Sequence, residues 1–258
     1  MWLVVMMRLL PGIAYCCWFP MFLCSAAVGP GPDYFEPKLL MGSIYDKEGG
    51  HLLFTFRRTA THNGDAVHVL REFRNPAGAL AAQERVLYEG GRLVRFELDE
   101  LQIGSNGRAV VKRLADKQWR IDFQYKGSDK DAKPKSKSET VGEEALISDS
   151  LPVFLAAHWA ELNAGTVVKF RYLVVPRLET ISFKFSREST GEFHGRKVVR
   201  IKMEPSSWVI AQIVDPLIFT VESEPPHRVL QYWGRTTPKI RNGQSWRDLD
   251  GLSVFNWN

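Results

Sequence analysis

Six histidines carry the most versatile chemistry in this chain: His51, His62, His68, His158, His194 and His227. No two stand at the HxH, HxxxH or HExxH spacing that sets a pair of imidazoles on one face of a strand or helix. His51 and His62 fall at opposite ends of one expected strand, which keeps their rings apart. His158 follows the apolar face of the one expected helix and reads as a partly buried partner of the sheet. Serine chemistry has two Gly-Ser contexts, Gly42-Ser43-Ile44 and Gly104-Ser105-Asn106-Gly107. Neither is a GxSxG elbow between a strand and a helix, and the second reads as a turn. The acid pairs Asp99-Glu100 and Glu143-Glu144 are adjacent carboxylates of the kind found in solvated loops. No GxxxxGK[ST] and no strand-linked GxGxxG offers backbone amides to a phosphate. The expectation is a chain with no catalytic residue, no metal site and no cofactor.

The cysteines remove further chemistry. Cys16, Cys17 and Cys24 all precede residue 28, so residues 28–258 hold no thiol nucleophile, disulfide or cysteine-ligated zinc. Those first residues read as a cleavable export signal. Arg8 precedes an apolar run from Leu9 to Leu23, then come the small residues Ser25-Ala26-Ala27 and the turn Gly29-Pro30-Gly31-Pro32. The run is shorter than the roughly 20 residues a spanning helix needs. Cleavage is expected after Ala27, leaving 28–258 with no permanent membrane span. An exported chain of this size without disulfides fits a bacterial periplasm, with secretion as the alternative.

The net charge of +5 is local, because Lys126 to Lys137 holds five Lys against two Asp. A nucleic-acid surface spreads its cations along a face with aromatics between them, so no nucleic acid is expected. Residues 127–139 read as a flexible linker between two lobes of one β-rich domain, about 28–126 and 140–258.

Elsewhere the hydrophobic period is two, the pattern of half-buried strands. In Leu52 to Thr61, Phe54 and Phe56 share one face while Thr55 and Arg57 share the other. In Trp119 to Tyr125, Trp119, Ile121 and Phe123 alternate with Arg120, Asp122 and Gln124. Asn63-Gly64 and Pro225-Pro226 mark turns. One helix stands out. Asp149-Ser150 supplies cap oxygens, Pro152 lies in the first turn, Leu151, Leu155, Trp159 and Leu162 form a stripe, and Gly165 ends it. Eleven or twelve strands and this helix predict a mainly β fold, an antiparallel meander curled into an open or closed barrel-like sheet.

The helix end His158-Trp159, the strand residues Val168 and Phe170, the step Pro176-Arg177-Leu178 and the turn Val214-Asp215-Pro216 follow one another along the chain. That order, across roughly residues 39 to 235, resembles a group of exported β-rich proteins of Gram-negative bacteria to which no activity is assigned. The resemblance implies address and fold, and supplies no catalyst. Arg177 follows a proline at a strand break, where a fixed guanidinium would meet an anionic head group, or else pair with Glu179 or Asp215. Phe54, Phe56, Trp119, Phe123, Phe183 and Phe185 would then line an apolar pocket or pack beneath the helix. The reading is a non-enzymatic carrier for an apolar or amphiphilic, lipid-like ligand. The alternatives are an envelope assembly protein that meets a partner through a sheet edge or its Trp-rich tail, and a hydrolase assembled from distant strands.

Overall fold

The computed structural model describes residues 33–257, apart from Glu48, Gly49, Asp116, Lys130 and Ile213. The expected signal and all three cysteines lie outside the described residues. Seven strands come first: β1 Leu39–Tyr45, β2 Leu52–Asn63, β3 Ala66–Arg74, β4 Leu80–Glu89, β5 Arg92–Glu100, β6 Ser105–Arg113 and β7 Trp119–Lys126. After β8 Lys135–Val141 and the two-residue β9 Ala145–Leu146 come the helices α1 Leu151–Ala157 and α2 Trp159–Asn163. The chain continues through β10 Val168–Val174, a 3-10 turn Val175–Arg177, β11 Glu179–Phe193 and β12 Arg196–Pro205. The short helix α3 Trp208–Ala211 then precedes β13 Leu217–Glu222, β14 Val229–Asn242 and β15 Ser245–Asn256.

Among the described residues all fifteen strands belong to one sheet, in the order β8-β7-β6-β5-β4-β3-β2-β1-β15-β14-β13-β12-β11-β10-β9. Every pairing is antiparallel except β9 with β10. The expected mainly β, barrel-like meander is therefore present, as an open sheet. Its two edges are β8 and β9, which Gly142, Glu143 and Glu144 join. The four Cα steps from Val141 to Ala145 reach at most about 15 Å. The edges must therefore curl toward each other, and the Thr180 amide of β11 donates to Glu139 of β8 at 2.8 Å.

One expectation changes: residues 127–139 are not all linker, because Lys135 to Glu139 pair with β7 as part of β8. The parts of the chain on either side also meet in the β1–β15 ladder. The reason lies in solvation. An edge strand wet on both faces shows no apolar alternation, and lysines on such an edge discourage further pairing.

The helical stripe is present but broken. His158 leaves helical geometry between α1 and α2 (φ −102°, ψ 18°), and Leu151, Leu155 and Leu162 are buried on either side. They pack against Phe170, Phe183 and Phe185 of β10 and β11, an aromatic group in which Phe170 and Phe185 lie 4.6 Å apart. Gly165 takes the left-handed conformation expected of a helix end (φ +86°). The segment Ser207 to Asp215, open between helix and strand in sequence, contains α3.

Gly107 was expected in a turn and instead sits inside β6, opposite Tyr125. A Cβ there would collide with the Val175 side chain, the Tyr125 ring and the Gln124 carbonyl, so its absence lets the 3-10 turn press onto the sheet. Gly107→Val should lower stability by about 1–3 kcal/mol, as overpacking does. An unchanged urea midpoint would show that the contact yields freely.

Candidate functional site

Three charged residues break the apolar alternation of adjacent strands. Arg58 is in phase with Phe54, Phe56 and Ala60 on β2, Arg71 with Val69 and Phe73 on β3, and Glu84 with Ala82 and Val86 on β4, all buried. The ladder sets them side by side, Arg58 opposite Arg71 and Arg71 opposite Glu84. Two like charges so placed repel unless countered. The counter-charge comes from the segment leading into α1. Asp149 accepts from Arg58 Nε at 2.7 Å and Nη2 at 3.2 Å, and from the Tyr88 hydroxyl at 3.0 Å. Arg58 also donates to the Pro37 and Tyr34 carbonyls, at 2.6 and 2.7 Å. Asp149 is thus no helix cap. Ser150 holds the cap position and makes no side-chain cap bond.

Arg71 is countered differently. Its Nη1 donates to Glu84 and to Ser148, while its Nε stands 3.8 Å from Asp149 and has no hydrogen-bond partner. Glu84 also accepts from Ser148 at 3.2 Å and from Thr237 of β14, so the curl of the sheet brings β14 over β4. A serine beside a carboxylate invites a nucleophile-and-base reading. With donors on both oxygens, however, Glu84 is held as a counter-ion.

A cavity of about 90 Å³ opens over this cluster. Arg58, Arg71, Ser148, Asp149, Tyr172 and Tyr232 form its polar floor, and Phe56, Leu151, Phe219, Val229, Phe255 and Trp257 belong to its apolar wall. The wall brings β2, β13 and β15 together with α1, so it exists only because the sheet curls. Trp257 is fixed there by its indole N–H, which donates to the Val229 carbonyl at 2.8 Å.

Burial raises the Asp149 carboxyl, but Arg58 and Arg71 beside it and the Tyr88 hydrogen bond hold it below the usual carboxylate range. The phenols go the other way. Burial and then the Asp149 charge push Tyr88 well up, and burial, Glu144 and Asp149 do the same to Tyr34, which stacks on Tyr88 at 4.0 Å. Burial also raises Tyr172 and Tyr232 at the floor, so both remain neutral hydroxyls near neutral pH.

Of the residues expected to line a pocket, Phe56 lines this one, with its ring 5.1 Å from the Arg71 guanidinium. Phe54 is buried in a core group beneath β1 and β2. Phe123 is buried in the core formed with β4 to β6, and Trp119 packs at its margin. Phe183 and Phe185 form the floor beneath the helices. These aromatics fill the fold instead of facing an opening. Arg177 ends the 3-10 turn, exposed, with its Nε 2.7 Å from Glu179, and it is not among the cavity residues. The pairing with Glu179, one of the two roles weighed for it, is what the structure shows. Arg58, Arg71, Glu84 and Asp149, which do form the site, were not singled out as site residues from the sequence.

Among the described residues no group of His, Cys, Asp or Glu is arranged to hold a metal ion, and no helix is long and apolar enough to cross a membrane. No family model matches the chain, and neither a curated protein nor a solved structure matches it.

Proposed function

We propose that this chain is an exported, periplasmic binding module for an amphiphile, with the cavity as the site. The observation that carries the reading is the division of one cavity into an apolar wall and a buried polar floor holding an unpartnered Arg71 donor. Apolar pockets with a few convergent polar groups are the usual form of small-ligand sites. At about 90 Å³ the cavity falls below the roughly 300 Å³ at which sites enclose a drug-sized ligand. It suits a polar head and the first carbons of a chain, with the remainder lying over the apolar rim. The assembly alternative rests on a sheet edge or on the Trp-rich tail. Here β15 pairs with both β1 and β14, and Trp257 is part of the cavity wall, which leaves less of the tail for a partner.

Two measurements test the proposal. Native mass spectrometry of protein purified from its own host should show a bound amphiphile. The uncharged apolar dye N-phenyl-1-naphthylamine should gain fluorescence on binding, and Val153→Trp, which fills the cavity from α1, should weaken that binding by about tenfold. A clean unliganded mass together with dye binding that Val153→Trp leaves unchanged would refute the proposal.

A further inference from the structure

The polar floor also restricts what kind of head group it can accept. This step rests on the proposed amphiphile site and narrows its ligand class. The buried charges cancel, with Arg58 and Arg71 against Asp149 and Glu84. At the rim, Glu36 adds a negative charge, and Arg235 is already taken by Asp248 and by Asp250, the latter at 2.9 Å. A carboxylate or phosphate entering the floor would therefore bring an uncompensated negative charge into a buried, balanced cluster, a costly arrangement.

A cationic head fares no better. It would face the Arg71 guanidinium, and each carboxylate oxygen it would seek already accepts at least one hydrogen bond. Asp149 Oδ1 accepts from Arg58 Nε, and Oδ2 accepts from Arg58 Nη2 and Tyr88. Glu84 Oε1 accepts from Thr237, and Oε2 accepts from Arg71 and Ser148. Among the floor residues the buried polar atom without a partner is a donor, Arg71 Nε. The hydrogen bonds shown for Arg71 leave from Nη1, while Nε, 3.8 Å from Asp149, is buried without a hydrogen-bond partner. A buried donor without a partner is unfavourable, so the floor calls for an acceptor.

From the balanced charges and this donor we infer that the ligand is an uncharged amphiphile whose head presents a hydrogen-bond acceptor, an ester carbonyl or glycerol oxygen of the acylglycerol type, to Arg71. Such a head satisfies the guanidinium donor without altering the charge count. Tyr172 and Tyr232 flank it with neutral hydroxyls. This ligand class differs from the anionic head expected at Arg177, which lies outside the cavity.

The test compares three probes of equal chain length on the full chain by isothermal titration calorimetry at neutral pH: monodecanoylglycerol, decanoate and decyltrimethylammonium. The glycerol ester should bind at least about tenfold more tightly than either ion. Glu84→Gln removes one buried negative charge, so it should shift the preference toward decanoate by about tenfold while leaving the cationic probe weak. If that variant fails to fold, the ranking in the unaltered protein decides alone. Equal or tighter binding of decanoate or of the cation overturns the neutral-head inference and leaves the amphiphile site standing. Binding of none of the three, with no dye signal that Val153→Trp can weaken, removes the site itself and the inference with it.

Discussion

Asp149→Ala should destabilise the protein by about 3–5 kcal/mol, a loss large enough to be read directly from the urea midpoint. The carboxylate is buried and neutralises a pair of facing arginines on adjacent strands, Arg58 and Arg71. Its removal leaves Arg58 Nε without an acceptor and Tyr88 without a partner for its hydroxyl. Asp149→Asn keeps the shape and loses the charge, so it should recover only part of the stability. A cycle on Arg71 and Glu84 separates interaction from burial. Each single change to leucine leaves one buried charge unpaired, whereas the double change leaves none and should cost much less than the sum of the two. Additive losses would mean that the pair is not coupled. The acid limb follows from the same carboxylate. Its value in the folded protein is depressed, so its contribution is present above the usual carboxylate value near 4 and is lost as pH falls through the lower folded value. In the Asp149→Ala protein that part of the acid dependence should be missing.

The strands were legible because a meander with one wet face writes its alternation into the chain. Leu52 to Thr61 and Trp119 to Tyr125 lie within β2 and β7, and the Asn63-Gly64 turn joins β2 to β3 with Gly64 at φ +60°. β8 was not legible because its Lys135 to Ser138 are solvated on both faces, and β9 has only two residues. The site left a faint signal. Arg58, Arg71 and Glu84 each occupy a position where the period of two calls for an apolar residue. An inward charge of that kind is unfavourable unless paired, so it marks a place where something must answer it. What answers, Asp149, lies 91 positions from Arg58 in sequence, and only the curl of the sheet brings them together. Counting aromatics misled for the opposite reason. Phe54, Phe123, Phe183 and Phe185 are large because the interior of a curled sheet must be filled, and most of that interior is core instead of cavity.

The same buried cluster should give the protein a sharp alkaline limit. Tyr34 and Tyr88 are both buried, stack at 4.0 Å, and have phenols that burial and nearby carboxylates push upward. A group whose folded value is raised contributes stability that is complete below its unfolded value, near 10 for tyrosine, and is lost as pH rises beyond it. With Tyr172 and Tyr232, whose phenols burial also raises, four such groups together remove about 5 kcal/mol for each pH unit above about 10, because each ionises freely only in the unfolded chain. Urea midpoints taken between about pH 8 and about pH 11 should be flat at first and then fall steeply. The tyrosinate absorbance of the buried phenols should rise together with the loss of tertiary structure. Tyr88→Phe should lower the alkaline slope by about a quarter, because it removes one of the four raised phenols. At neutral pH the same change deprives Asp149 of a donor and should cost about 1–2 kcal/mol. A buried tyrosinate signal that appears while the fold is still intact would show that water reaches these rings, and that the cluster beneath the cavity is open rather than sealed.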